Sequence, residues 1–584
     1  MKMPSTVSGR SLRTLISLST IASAAAAGFL AQQSVTADSA PQPFNTSHVL
    51  ENVKEALGAG FHQAAQEREV RLRSMLDPMF AALPKNALGA VGAPAASYAL
   101  NRLFVQQHGW QLKGLHPSGK QWADVSPVSV FGDRLSDEVR TRFDDQLNSG
   151  GLSLDELAHV AALLEHMVHG EAESRLRSMY MVLGHSLDAL LGEHEATGVI
   201  ELCVASYVLG ANTSAMSLGL LQEFNRTIEE QHPNWPETRS FLRSVQREVC
   251  PGKEAFTFPD VAGVVEAAED RFGQWQSKEC RVLKEQLIEV EDVSGSGRVR
   301  LDDFYGSAIH AGKWQFSETV EYLRHLGAVD ETDPSALRVI IPNYIYSPSN
   351  CLASSSAYAV CCIDECEELL GNLERSIGGP NAGPDAIVTA LTTGVNRTLA
   401  AGLIKRLSEV AEHHGGHVPL HGRLFAQWLH HVQPRECPFP HVSGSTKPQR
   451  PDEWEAEAGY EPTATEAEMV RHIEAARNRR REQRDQGQGQ EGTGQSGEEG
   501  GLCSAMWTME EELVDEHVHE SNSTGRGGIV AAVPERSAKM WALRSFVLLA
   551  AVVSLSLALA KTLRPACVAV DSASDKTLML LKSL

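Results

Sequence analysis

Between Asp292 and Asp303 the chain reads Asp-Val-Ser-Gly-Ser-Gly-Arg-Val-Arg-Leu-Asp-Asp, residue types in the order of a helix-loop-helix calcium loop. Such a loop offers oxygen ligands at positions 1, 3, 5, 7, 9 and 12 and turns sharply at a glycine in position 6. Counted from Asp292, those places hold Asp292, Ser294, Ser296, the Arg298 carbonyl, Arg300 and Asp303, with Gly297 at the turn and apolar Val299 at position 8. Calcium affinity rises with ligand charge and rigidity. Here the last carboxylate is a short Asp instead of a bidentate Glu, two ligands are neutral serines, and Arg298 and Arg300 bring positive charge beside the ion. The expectation is a low-affinity structural calcium site or a metal-free relic of one.

A second loop of this kind starts at Asp145, with Gly150 at position 6, Leu152 at 8 and Glu156 at 12, but Leu147 removes the ligand at position 3. Because these loops work in side-by-side pairs, the distance between the two in sequence makes pairing a matter for the tertiary fold. Another chemistry resides in His413, His414, His417, His421, His430, His431, Cys437 and His441, side chains that bind zinc or copper. From this cluster His417, His421, Cys437 and His441 form an alternative transition-metal set, set against surface and capping histidines around a Leu424, Phe425, Trp428, Leu429 core face. No nucleophile elbow, phosphate loop or His-Glu-x-x-His stretch is present.

The elements that must position these groups are helices. Apolar residues recur at spacings of three and four, as in Leu154, Leu157, Val160, Ala161 and Leu164, and again in Leu283, Leu287 and Val290 before the first loop. Breaks fall at residues 231–236 and 251–252, and residues 340–350 read as a short strand; no solenoid period is evident. The expected fold is mainly α: a large helical luminal domain with an EF-hand-like helix-loop-helix, a disordered stalk and one C-terminal transmembrane helix.

Composition sets the surroundings. The 584-residue chain is 42% hydrophobic, enough for a sizeable core, and its formal charge of -22 argues against nucleic acid as a partner. Residues 1–37 follow the secretory pattern of charge, apolar run and small residues before a cleavage point; an uncleaved anchor or an organelle presequence are the alternatives. Residues 541–560 read as a membrane span bracketed by Arg544 and Lys561, with a buried C-terminal helix as the alternative, and 561–584 as a short tail. Residues 38–455 then form the luminal or extracellular body and 456–540 a partly disordered stalk, poorest in apolar residues from Arg477 to Gly501. Within it, residues 506–516 read as a short acidic amphipathic helix, a solvated segment by default with docking of a protein partner as the alternative. Glycosylation triplets at Asn45, Asn212, Asn225, Asn396 and Asn522 all lie between the two apolar segments. Nine of the ten cysteines do too, and structural disulfides from the Cys361, Cys362, Cys366 group to Cys351 or Cys437 are expected in preference to redox chemistry.

Four strings carry a wider resemblance: Gly297 to Tyr305, Ile340 to Tyr344 with Ser349 to Cys351, Cys361 to Glu367, and Phe425 to His441. Over roughly residues 130 to 455 the chain resembles a family of large secreted or membrane-anchored proteins of unicellular algae. The resemblance implies one shared luminal module with a degenerate EF-hand-like loop, and it contributes no catalytic residue. The function expected is thus a single-pass membrane-anchored interaction or structural protein, weakly calcium-binding; the alternative is a secretory-pathway metalloenzyme using the cluster at 413–441.

Overall fold

A computed structural model describes residues 64–208, 217–231, 234–311, 315–352, 355, 357–393, 399–485 and 506–515. The expected leader 1–37, span 541–560 and tail 561–584 lie outside the described residues, as do Asn45, Asn212, Asn396 and Asn522; Asn225 falls in a helix. Among the described residues no helix is long and apolar enough to cross a membrane.

The structure is mainly helical, and eight of its described helices leave paired loops by one local rule. An apolar residue makes a short antiparallel bridge to a partner loop, and a helix begins two residues later. The first pair joins the loop between α1 (Ala64–Ala82) and α2 (Ala93–His108) to that between α3 (Asp137–Ser149) and α4 (Leu154–Leu183), with Val91 facing Leu152. In the second, the loop from α4 to α5 (Glu193–Val208) meets another, which follows α6 (Leu218–Gln231) and joins α7 (Trp235–Val249) to α8 (Phe258–Glu289); Leu191 faces Phe256. The third contains the Asp292 loop, between α8 and α9 (Leu301–Ala311), against the loop between α10 (Val320–His325) and α11 (Ile341–Ile345); Val299 faces Val339. The fourth links α12 (Cys366–Ile377) and α13 (Pro384–Thr392) to α14 (Ala401–His413) and α15 (Arg423–Val432), with Ala382 facing Val418. Only α15 departs from the rule, starting five residues after Val418. Two further helices, α16 (Pro451–Ala458) and α17 (Glu466–Asp485), close the third pair from outside.

Counted from Asp292, Val299 is position 8 and α9 starts at position 10, so the other loops share the register of the recognised one. The Asp145 loop does pair, but with residues 83–92 and not with the Asp292 loop. Its left-handed turn falls at Gly151 (φ +72°) while Gly150 ends α3, and Leu147 is buried. The repeat has no constant period, because α4 and α8 each serve two consecutive loops whereas α6 is an insertion. Position 12 carboxylates have found another use. Glu156, Glu195 and Asp260 each turn back to accept from the backbone N–H three residues earlier, capping the outgoing helix.

Three apolar clusters result: one built on α1–α8, one on the third pair with α16 and α17, and one on the fourth pair. Disulfides Cys280–Cys362, within the second cluster, Cys351–Cys361, and Cys366–Cys437, within the third, cross-link the chain; the sequence reading expected the last two and not the first, and Cys203 and Cys250 are unpaired. With separations of 82 and 71 residues, the first and last each constrain the unfolded chain by roughly 4 kcal/mol in the loop-entropy picture.

Two boundaries differ from the sequence reading. The compact body continues past residue 455: α17 runs to Asp485, buries Ala476 and pairs Arg480 with Asp302 at 2.6 Å. Residues 506–515 also belong to it, as an extended segment instead of a helix. Their backbone and carboxylate groups are taken up by α15, which removes them from any helical ladder of their own.

Candidate functional site

The Asp292 loop has the predicted backbone, and its acidic groups are occupied by arginines. Asp292 pairs with Arg338 of the facing strand (Nε to Oδ2, 2.7 Å). Asp303 lies 3.5 Å from Arg480, and burial followed by the neighbouring Asp302 raises its pKa. The carboxylate that closes the turn is that of Glu291, one residue before the predicted first ligand. It accepts from the N–H groups of Gly295 (2.8 Å) and Gly297 (2.5 Å), and Arg435 donates to it at 2.5 Å. Ser294 is exposed, the Ser296 hydroxyl accepts from the Arg298 N–H at 3.3 Å, and the Arg298 carbonyl accepts from the Asp292 N–H at 2.9 Å.

The Arg298 side chain turns inward. It is 3% exposed, donates to Asp330 at 2.6 Å and to the Ser296 carbonyl at 3.0 Å, and approaches His430 at 3.4 Å. Burial opposes the charged form of Asp330, yet the Thr332 hydroxyl and the Arg298 guanidinium together hold its pKa below the usual carboxylate range. His430 is kept neutral by burial and then by Arg298. Gly297 has φ +67°, and a Cβ there would lie 1.9 Å from the Pro434 carbonyl oxygen, so the loop is packed hard against the end of α15. Sequence reading missed Glu291, Asp330, Arg338, Arg435 and Arg480. Only the excess of arginine around the loop signalled them.

The alternative transition-metal set is not assembled, and this reading is corrected. Cys437 is consumed in its disulfide with Cys366, His417 is exposed, and the His441 Nε2 bonds the Gly327 carbonyl at 2.7 Å. His421 is buried against Tyr98 (Nδ1 to hydroxyl, 3.2 Å), and burial followed by Arg102 drives its pKa well down. The pattern brought these residues near one another in sequence, and the fourth helix pair points them into different surroundings.

Elsewhere among the described residues one group of metal-ligating type is compact. His108 of α2, Glu165 of α4 and Asp270 of α8 bring their ligand atoms within 4.8 Å of one another. The same carboxylates already have partners: Glu165 contacts Arg68 at 3.0 Å and Arg71 at 2.7 Å, and Asp270 contacts His169 at 2.9 Å. Burial opposes protonation of His169, but the Asp270 hydrogen bond and the carboxylates around it raise its pKa. With Glu266 also present, the carboxylates of Glu165, Glu266 and Asp270 face Arg68, Arg71 and His169, so the group's acids already have basic partners.

Where the three clusters meet lies a cavity of about 550 Å³, lined among others by Tyr98, Arg102, Trp122, Tyr346, His421 and Glu512. Its floor is rigid, for Arg102 (2% exposed) donates to both Glu367 and Glu374 at 2.5 Å and thereby locks α2 to α12. Asp364 on the same wall is pushed well up by burial and then by Glu367. The concavity, aromatic lining and few convergent polar groups suit a small-molecule or peptide side-chain site.

No protein-family model, curated protein or solved structure was found to match the chain.

Proposed function

We propose that this chain is a membrane-tethered interaction protein of the secretory route whose helix-loop-helix pairs are held by arginine and not by calcium. The carrying observation is the set of guanidiniums on the loop acids: Arg338 on Asp292, Arg435 on Glu291, Arg298 on Asp330 and Arg480 on Asp302. A calcium ion at the predicted positions would have to displace Arg338 from Asp292 and Arg480 from Asp303, and the neighbouring Arg435 and Arg298 pairs fix the loop around them. Three disulfides support an oxidising compartment, in keeping with a leader at 1–37, a span at 541–560 and the resemblance to membrane-anchored algal proteins. The partner surface is the body itself, with its cavity.

A metalloenzyme is the second reading, favoured only by the His108, Glu165, Asp270 group. Elemental analysis of the purified full-length chain separates them. Calcium, zinc and copper are expected well below one equivalent. One equivalent of zinc or copper that disappears in His108→Ala would support the second reading.

A further inference from the structure

Residues 506–515 lie extended across α15 and join two clusters, Trp507 packing on that of the fourth pair and Val514 on the large one. The backbone is held as a strand would be: Leu513 bridges Gly422, and the Arg423 N–H donates to the Glu512 carbonyl at 2.9 Å. Gln427, fully buried, imitates a second strand with its side chain, donating to the Thr508 carbonyl at 3.0 Å and accepting from the Thr508 N–H at 3.2 Å. The Glu511 carboxylate accepts from the Leu424 N–H at the start of α15 (3.0 Å) and pairs with His414 at 2.6 Å. Glu512 accepts from the Ser443 N–H at 3.0 Å and its hydroxyl at 2.8 Å. Arg423 donates to the Glu510 carbonyl at 2.8 Å, and Arg406 stands 5.2 Å from the Trp507 ring.

We propose that this groove is a receptor site for extended acidic peptides and that Trp507 to Asp515 is its resident ligand in cis. Backbone capture gives affinity, whereas the helix N-terminus with His414 and Ser443 selects two adjacent carboxylates. An aromatic residue four places before the first of them completes the motif. The segment also contributes Glu512, Leu513, Val514 and Asp515 to the cavity wall. Twenty residues of chain (486–505) lie between it and α17, so its binding is intramolecular and is favoured over that of a free peptide. This proposal rests on the reading of the body as an interaction module and adds the class of partner.

The test uses the full-length chain, a fluorescent peptide of residues 505–516, and the double variant Glu511→Lys, Glu512→Lys, which loosens the resident segment and leaves the groove unchanged. The variant should bind the peptide saturably, and the unaltered chain at least about tenfold more weakly. Adding Arg423→Ala to the variant should abolish binding. Equal binding by both chains, or none by a variant whose circular dichroism is native, would overturn the proposal. A second measurement does not depend on the variant folding. Protease sites placed at residues 490–496 and 519–525 of the full chain release the segment on cutting. The cut body is expected to lose it on gel filtration and to take up the labelled peptide; a body that aggregates on losing it would overturn the proposal by making the segment a core strand. Failure in either arm leaves the metal contents of the chain unaltered, so it is distinct from failure of the arginine-held reading.

Discussion

Arg298→Ala is expected to destabilise the chain by about 3–5 kcal/mol, read as a fall in the denaturant midpoint of the body. Arg298 and Asp330 are 4% and 3% exposed and 2.6 Å apart, so removing the guanidinium leaves a carboxylate in the interior with only Thr332 and its surroundings to solvate it. Asp330 has a lowered pKa in the native chain. Its contribution is therefore present above the ordinary carboxylate range and is lost as the pH falls through the lowered value. In the variant burial pushes the same group toward its neutral form, and the deficit should shrink as the pH is taken from 7 toward 4. The paired replacement Arg298→Met, Asp330→Leu should recover much of the loss, because an apolar pair of similar volume costs no desolvation. A deficit below about 1 kcal/mol for Arg298→Ala, or one independent of pH, would mean that the pair does not hold the loop.

Gly297→Ala should cost a similar amount, for a different reason. The residue is left-handed, which adds about 1–2 kcal/mol for a side chain, and its Cβ would meet the Pro434 carbonyl oxygen at 1.9 Å and its carbon at 2.5 Å. Both obstacles are backbone and cannot swing aside, which adds about 1–3 kcal/mol of overpacking. Gly295→Ala is the internal control. It has φ +83° but nothing within 4 Å of its Cβ, so only the conformational cost applies. If the two variants unfold alike, the glycine at position 6 serves the turn alone and the close packing against α15 contributes nothing.

These two residues also show how far sequence reaches. Helical spacing identified the long helices, and the residue types from Asp292 to Asp303 identified the loop, its turn glycine and the apolar position that bridges. Cysteine spacing led to the disulfides among Cys351, Cys361, Cys366 and Cys437. The partners of the loop acids were out of reach, since Arg338, Arg435 and Arg480 lie far along the chain and only the fold sets them on Glu291, Asp292 and Asp302. The other loops were hidden for a chemical reason. Two of them lack an oxygen ligand at position 1: the loop before α2 opens with Pro84 and that before α8 with Val249. What persists is an apolar residue two places before a helix, too common a pattern to recognise alone. The acidic stretch near 510 misled for the opposite reason, because its charge looked like a solvated helix face while its actual partners were a helix N-terminus and a serine elsewhere in the chain.

Thermal unfolding of the full-length protein, in chelator and then in calcium raised to several times the roughly 10⁻³ M at which extracellular calcium modules work, tests the arginine-held loop most directly. The account predicts the same midpoint in both and no further change in Asp292→Asn. A saturable rise in midpoint with calcium that Asp292→Asn abolishes would contradict it.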